Sequence, residues 1–133
     1  AHEFVWKAIP ALCAEADVIS LHCPQTDENL GMVDAQLLAR MKPTAFLINT
    51  SRGGLINEAD LARALQQGTL AGAACDVVSQ EPISAENPLL EAPNTLLTPH
   101  IAWATLAARK RLMNTTIENI RAFHAGAPIN RVN

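Results

Sequence analysis

Residues 45–54 read Ala-Phe-Leu-Ile-Asn-Thr-Ser-Arg-Gly-Gly, a short apolar run that ends in polar residues and a glycine pair. A run that is apolar at successive positions is typical of a strand covered on both faces, as in a parallel sheet. After the glycine pair, Asn57 can cap a helix that has Glu58 and Asp60 in its first turn. This stretch therefore predicts a strand, a turn and a helix in succession, which is the basic unit of an α/β fold.

The same alternation of apolar runs and amphipathic stretches continues along the rest of the chain. It predicts strands at residues 18–22, 45–49, 70–77 and 94–98, and helices at residues 5–14, 34–41, 58–67 and 105–124. Asp34 is expected to cap the second helix. In the third helix, Glu58 suits the helix dipole, Gly68 ends the helix, and the expected buried stripe is Leu61, Ala64 and Leu65. Residues 79–93 hold three prolines and no helical period, which predicts an irregular surface loop. Right-handed crossovers between such strands give a parallel sheet. The predicted fold is therefore α/β, the C-terminal half of a Rossmann-type domain with about four strands and a long C-terminal helix.

Composition and charge limit the classes of function. The chain has 133 residues, of which 49% are hydrophobic and 17% charged, and its formal net charge is −3. Nucleic acid and anionic membranes attract basic surfaces, so neither is expected as a partner. No apolar run approaches the roughly 20 residues that cross a bilayer, and no stretch has the pattern of a secretory signal.

The chain has three cysteines, Cys13, Cys23 and Cys75, an odd number whose spacing does not match a zinc site. Unpaired cysteines are typical of a reducing compartment, which indicates the cytoplasm. The histidines have no partners at metal-binding spacing, so no metal site is expected.

Three polar residues follow three of the predicted strands. Arg52 comes after the second strand, Glu81 after the third and His100 after the fourth. Because the carboxyl ends of parallel strands meet at one edge of a sheet, where open α/β folds bind ligands, we expect these side chains to form an active site.

Each of the three has a chemical role and a simpler alternative. Arg52 can hold a carboxylate through two parallel hydrogen bonds, or it is a surface arginine in a polar loop. His100 can give and take a proton near neutral pH, or it caps the final helix. Glu81 can bond the other ring nitrogen, fix the tautomer and stabilise the imidazolium, although alone it would carry no weight. Together they suit the reduction of a 2-keto acid by a hydride donor.

With this order and these flanking residues, the chain closely resembles the NAD-dependent D-2-hydroxyacid dehydrogenases. Residues 16–33 and 41–57 also match the pattern of that family. Trp103, three residues after His100, is most similar to the glycerate dehydrogenase (hydroxypyruvate reductase) branch.

The resemblance implies that Arg52, Glu81 and His100 are the catalytic residues. It also implies NAD or NADP as cofactor, used as NADH or NADPH in the reductive direction, and a small 2-keto or 2-hydroxy acid as substrate. The implied cofactor contacts are His22, Cys23, Pro24, Thr50, Ser51, Arg52, Asp76 and His100, and the implied substrate pocket is Arg52, His100 and Trp103. Three of these residues also have a simpler interpretation without a ligand. Pro24 stops a strand, Asp76 caps a turn, and the indole of Trp103 packs as an ordinary aromatic side chain.

No stretch of the chain reads G-x-G-x-x-G, the sequence that binds a pyrophosphate in Rossmann-type domains. We therefore expect a C-terminal fragment, in which residues 1–103 are a partial NAD(P)-binding domain and residues 104–133 are a closing helix and a tail that returns to a substrate domain. We expect the isolated chain to be inactive, since its cleft would have one wall. The family also implies a homodimer. The alternative function is a non-catalytic binding or corepressor-like module of the same fold.

Overall fold

The computed structural model describes residues 4–132 and contains a four-stranded parallel sheet. The strands are β1 (Val18–Leu21), β2 (Phe46–Asn49), β3 (Gly72–Cys75) and β4 (Thr95–Leu97). They lie side by side in chain order, and each neighbouring pair is parallel. This arrangement confirms the predicted α/β fold. Each observed strand is shorter than its prediction.

Residues 4–132 also form four α-helices: α1 (Ile9–Glu15), α2 (Ala35–Leu38), α3 (Glu58–Gln66) and α4 (Leu106–His124). Asp34, Asn57 and Thr105 cap α2, α3 and α4, each side chain accepting the backbone N–H three residues further along. The predicted caps at Asp34 and Asn57 and the predicted start of α4 are thus confirmed. Residues 79–93 are largely irregular, as predicted, but include a 3₁₀ turn at Pro88–Leu90, and a second such turn lies at Gly53–Leu55.

Two helices differ from their predictions at the ends. The first was expected at residues 5–14, but α1 begins at Ile9, because the ring of Pro10 fits the first turn of a helix and clashes with any turn before it. The second was expected to reach Met41, but α2 ends at Leu38, and the N–H of Met41 bonds back to Leu38 at 3.0 Å in a tighter turn. Pro43 disfavours helical backbone at the residue before it, so the helix cannot continue.

The end of α3 follows the prediction that Gly68 stops this helix. Gly68 has a φ of 68°, a left-handed conformation that suits glycine. The N–H of Thr69 then bonds the carbonyl of Ala64 at 2.8 Å, and the N–H of Gly68 bonds the carbonyl of Leu65 at 3.1 Å. These bonds satisfy carbonyls at the end of the helix that would otherwise have no partner in it.

One face of the sheet is buried under the helices. Two rows of side chains across β1, β2 and β3 lie on this face, Ile19, Leu47 and Ala73 in one row and Leu21, Asn49 and Cys75 in the next. The apolar members of both rows belong to one buried cluster with Leu61 and Leu65 of α3. The predicted buried stripe of α3 therefore packs as expected.

The opposite face of the sheet is open in the described residues. Val18, Phe46 and Leu96 are 57%, 50% and 63% exposed. The sequence predicted that the strand at residues 45–49 is covered on both faces, and this is wrong for residues 4–132, where only one face is buried. The helices that follow β1 and β2 pack on the same side, so the apolar residues of the other side have no cover in this part of the chain.

The chain divides into two compact units with the boundary between His100 and Ile101. The second unit contains α4, in which none of the residues is buried. The predicted domain boundary at residue 103 stays a prediction. Among residues 4–132, no helix has both the length and the hydropathy that a membrane span needs.

Candidate active site

The three residues proposed for catalysis leave the sheet from neighbouring strands. Arg52 follows β2, Glu81 lies in the segment after β3, and His100 follows β4. Since these strands are adjacent and parallel, all three residues lie beyond the same carboxyl edge of the sheet. The structure therefore brings them to one edge, as the sequence predicted.

The turn that carries Arg52 is shaped by a buried polar side chain. Asn49, the last residue of β2, is fully buried, and its amide donates to the carbonyl of Arg52 at 2.9 Å. The carbonyl oxygen of the same amide accepts the N–H of Ser51 at 3.0 Å. The Ser51 hydroxyl donates to the carbonyl of Cys23 at 2.5 Å, which joins this turn to the segment after β1. Asn49 was not predicted as a site residue, because an asparagine at a strand end is also an ordinary turn residue.

Arg52 is exposed and borders a polar cleft of about 620 Å³. Its Nη1 donates to the carbonyl of Ser51 at 2.7 Å. The cleft is lined by His22, Cys23, Pro24, Gln25, Ser51 and Arg52. Five of these six residues were predicted to contact the cofactor, and only Gln25 was not. Thr50, which was also predicted, is exposed and lies outside the lining of this cleft.

Asp76 ties the end of β3 to the segment that follows β4. Its backbone N–H donates to the carbonyl of Asn49 at 2.9 Å, and its carbonyl accepts the N–H of His100 at 2.8 Å. Its carboxylate accepts the hydroxyl of Thr98 at 2.5 Å, and the residue is 5% exposed. These hydrogen bonds of Asp76 fix the backbone beside His100.

The imidazole of His100 and the carboxylate of Glu81 form a hydrogen-bonded pair, with 2.7 Å between Nδ1 and Oε2. The two side chains are 44% and 39% exposed, so the pair is open to solvent. The second carboxylate oxygen of Glu81 accepts the N–H of Val78 at 3.3 Å. The hydrogen bond from His100 is the main cause that lowers the pKa of Glu81 below its ordinary value, while desolvation and, to a smaller extent, Asp76 oppose this effect. Glu81 is thus an anion poised to hold one ring nitrogen of His100.

His100 has a left-handed backbone, with a φ of 55°. Its N–H bonds the carbonyl of Thr98 at 3.0 Å as well as that of Asp76. A non-glycine residue in this conformation is uncommon, and such residues cluster at functional sites. The backbone turn after β4 therefore aims the imidazole toward the loop that holds Glu81.

The His100–Glu81 pair borders a second cleft of about 590 Å³. Apart from the pair, its lining is mostly apolar and includes Pro82, Ile83, Leu90, Leu97 and Pro99, together with Asp76 and Thr98. Arg52 does not line this cleft. The structure thus places Arg52 and the His100–Glu81 pair in two clefts at one edge of the sheet.

Trp103, the remaining predicted pocket residue, lies in the second compact unit and is 55% exposed. The turn around it is closed by a hydrogen bond of 2.8 Å from the N–H of Ala104 to the carbonyl of Ile101. Its proposed role in substrate selection stays a prediction.

Glu58, the first residue of α3, contacts the loop that holds Glu81. One carboxylate oxygen accepts the N–H of Ser79 at 2.6 Å, and the other accepts the Ser79 hydroxyl at 2.7 Å and the Asn87 amide at 2.9 Å. The sequence predicted only that Glu58 stabilises its helix through the helix dipole. A contact 21 residues along the chain leaves no signal in one sequence, so this connection could not be predicted.

The sequence of the chain is similar to those of known proteins. Residues 1–102 match the family described as D-isomer specific 2-hydroxyacid dehydrogenase, NAD binding domain. A hydroxypyruvate reductase of Blautia hydrogenotrophica is 48% identical over 122 residues, which are 92% of this chain and 38% of that protein. A glycerate dehydrogenase of Methylorubrum extorquens is 45% identical over 126 residues, 93% of this chain and 40% of that protein.

A solved structure agrees with the sequence matches. The D-isomer specific 2-hydroxyacid dehydrogenase of Lactobacillus delbrueckii ssp. bulgaricus, in its NAD-complexed form, superimposes with a TM-score of 0.84 at 27% identity. The match covers 95% of this chain and 42% of that one. The chain thus spans about two fifths of the length of the proteins it matches. By the match over residues 1–102 and the identity to these relatives, the chain belongs to the family of D-isomer specific 2-hydroxyacid dehydrogenases, within their NAD-binding domain.

Proposed function

We propose that this chain forms part of an NAD(P)-dependent oxidoreductase that interconverts small D-2-hydroxy acids and 2-keto acids. The observation that carries the proposal is the hydrogen bond of 2.7 Å between His100 and Glu81, open to solvent at the carboxyl edge of the sheet. A general acid held by a carboxylate partner is what the reduction of a ketone to an alcohol requires, since the developing alkoxide must receive a proton.

In this proposal His100 transfers the proton. Glu81 accepts a hydrogen bond from Nδ1, and the proposed proton donor in reduction, and acceptor in oxidation, is Nε2. The lowered pKa of Glu81 keeps the carboxylate charged, so that it can stabilise the imidazolium form of its partner.

Arg52 is the proposed anchor for the substrate carboxylate. Its guanidinium is exposed at the edge of the sheet and presents several N–H donors in a plane, which match the two oxygens of a carboxylate. The Asn49 amide fixes the carbonyl of Arg52 and the N–H of Ser51, so the turn that carries the guanidinium is defined.

The polar cleft beside Arg52 fits one side of a dinucleotide. The backbone and side chains of His22, Cys23 and Pro24 form one wall, and Ser51 and Arg52 supply polar and cationic groups. We infer that these residues, with Thr50 and Asp76, hold NAD(P), which when bound supplies the hydride for reduction. The solved relative in its NAD-complexed form supports this assignment.

We propose that hydroxypyruvate is the substrate, with glyoxylate as the nearest alternative. The names of the relatives from Blautia and Methylorubrum support this choice, and Trp103 is the proposed selecting residue. We also propose that the complete protein is a cytoplasmic homodimer, which the family resemblance and the exposed apolar residues of the sheet support.

We further propose that the 133 residues alone do not turn over substrate. The sequence contains no G-x-G-x-x-G stretch, and the His100–Glu81 pair is exposed to water, which weakens electrostatic stabilisation of a transition state.

The test is NADH and NADPH oxidation with hydroxypyruvate or glyoxylate. Three proteins are compared: the 133-residue chain, the product of the complete gene, and the complete product with His100→Asn. Asparagine adopts the left-handed backbone of this position but cannot transfer a proton near neutral pH. Turnover by the complete product that falls by about a hundredfold or more in the variant supports the proposal.

Two outcomes would contradict it. Turnover by the short chain would overturn the claim that it is inactive alone. No turnover by the complete product with any small 2-keto acid, despite a folded protein, would favour the corepressor-like module.

A further inference from the structure

The loop that carries Glu81 leaves β3 after Cys75 and returns to the sheet at β4. Glu81 is exposed, and its carboxylate accepts hydrogen bonds from His100 and from the N–H of Val78. A surface loop of this length does not by itself hold a carboxylate at 2.7 Å from a histidine on another strand. The loop therefore needs contacts that fix it to the rest of the first compact unit.

Glu58 supplies three such contacts from the first turn of α3. Its carboxylate accepts both the N–H and the hydroxyl of Ser79, two residues before Glu81. It also accepts the side-chain amide of Asn87, whose own carbonyl oxygen caps the 3₁₀ turn Pro88–Leu90 through the N–H of Leu89 at 3.0 Å. The carboxylate of Glu58 is thus hydrogen-bonded to the loop both before Glu81, at Ser79, and after it, at Asn87. Hydrogen bonds to a charged acceptor are stronger than those between neutral groups.

Gly53 holds the same loop from a second direction. A Cβ built on Gly53 would lie 1.9 Å from the carbonyl carbon of Val78 and 2.4 Å from the nitrogen of Ser79. Only glycine permits this approach of two backbones. The residue next to Arg52 therefore rests directly on the peptide bond between Val78 and Ser79. The segment that holds Glu81 is set against the turn that holds Arg52.

We propose that Glu58 and Gly53 are positioning residues, which hold the segment 78–81 so that Glu81 meets His100 and stays in register with Arg52. This inference rests on the proposed function, because it assigns these two residues to the geometry of that same site. Glu58 acts through Glu81 and does not touch the substrate. Displacements of about 1 Å in an active site cost up to about a hundredfold in rate, so the loss of this grip is measurable.

The central test is a double-mutant cycle in the complete gene product, with kcat measured for hydroxypyruvate. Glu58→Ala is expected to lower kcat by about tenfold to a hundredfold. The same substitution made in a Glu81→Gln background is expected to change kcat by less than about threefold, because the group it positions is already gone. Glu58→Gln retains an acceptor for the Ser79 N–H, so we expect it to recover part of the loss.

Asp60→Ala is the matched control. Asp60 is also a carboxylate in the first turn of α3, but it bonds the N–H of Ala35 at 3.0 Å and pairs with Arg63, away from the loop of Glu81. Its removal takes the same charge from the helix start, so a general weakening of α3 would appear in both variants. We expect kcat of Asp60→Ala to stay within about twofold of the wild type.

A second measurement does not need turnover. The carboxyl carbon of Glu81 is titrated by NMR in the 133-residue chain, in the wild type and in Glu58→Ala. In the wild type the pKa of Glu81 is expected below its ordinary value, because the hydrogen bond from His100 outweighs the opposing effects of desolvation and of Asp76. In the variant the pKa of Glu81 is expected to rise toward the ordinary value as the pair loosens.

The outcomes separate the two claims. Equal losses from Glu58→Ala in both backgrounds, or an unchanged Glu81 titration in Glu58→Ala, would overturn the positioning role. An inactive wild-type gene product would overturn the proposed function. Even then, a raised pKa of Glu81 in Glu58→Ala would support the role of Glu58 in holding the loop.

Discussion

The two faces of the sheet are built from the same four strands but have opposite surroundings. On the face toward α3, Leu47 is 1% exposed and lies in a continuous apolar cluster. On the other face its neighbour Phe46 is 50% exposed, and Leu96 is 63% exposed. Successive residues of a strand point to opposite sides, so one strand contributes to both environments. The sequence of β2 is apolar on both sides, and only packing distinguishes them.

This difference shows where the stability of the described chain arises. Burial of apolar surface is the main favourable term in folding, and it is collected on one face of the sheet. The apolar residues of the open face contribute little until something covers them. Substitutions on the two faces should therefore have unequal effects, and each of the following predictions tests that inequality.

The largest effect is expected for Leu47→Ala, which removes a buried side chain and leaves a cavity under α3. We expect the free energy of unfolding to fall by about 2 to 5 kcal/mol. The measurement is urea unfolding of the 133-residue chain, followed by circular dichroism. Phe46→Ala on the open face is the matched control, with an expected loss of less than about 1 kcal/mol. A loss at Phe46 as large as that at Leu47 would show that the open face is covered in solution.

The next effect concerns thiol reactivity on the two faces. Burial, with a smaller contribution from Glu58, raises the pKa of Cys75 to about 11, so at pH 8 only about one thiol in a thousand is a thiolate. A cysteine introduced on the open face by Leu96→Cys should alkylate with iodoacetamide about a hundredfold faster. Mass spectrometry of peptides at successive times measures both rates in one protein. Comparable rates at the two positions would mean that the buried face opens readily.

A smaller loss is expected for Asn49→Ala, at the carboxyl edge of the buried face. This substitution removes the bonds to the carbonyl of Arg52 and the N–H of Ser51, so we expect a loss of about 1 to 3 kcal/mol. Ser20→Ala on the open face, where the side chain is exposed, is expected to be neutral within about 0.5 kcal/mol. Hydrogen exchange at the Ser51 amide gives the local readout, and unchanged protection there would contradict the role given to Asn49.

Local signals in the sequence predicted much of the fold. The caps Asp34 and Asn57 and the stop at Gly68 depend on neighbours within a few residues, and each was predicted and is confirmed. The pairing of Glu81 with His100 was also expected, from the family resemblance together with the chemistry of the two groups, and the structure places them at 2.7 Å.

What the sequence could not give depends on contacts between distant parts of the chain. Nothing local marks Phe46 as exposed and Leu47 as buried. The grip of Glu58 on Ser79 and the approach of Gly53 to Val78 exist only after the strands have assembled. The first helix is a different case, because its observed start has a local cause. The ring of Pro10 prevents a helical turn before Ile9, although the prediction began at residue 5.

The left-handed backbone at His100 also limits which amino acids can replace histidine at this position. Among residues other than glycine, asparagine, aspartate and histidine are the ones enriched in this conformation, and β-branched residues are strongly disfavoured. Of these amino acids, only histidine has a side chain whose ordinary pKa lies near neutral pH. The shape of the turn and the proposed proton transfer therefore favour the same side chain independently. In a library of variants at this position, we expect most substitutions to be lost for one of these two reasons.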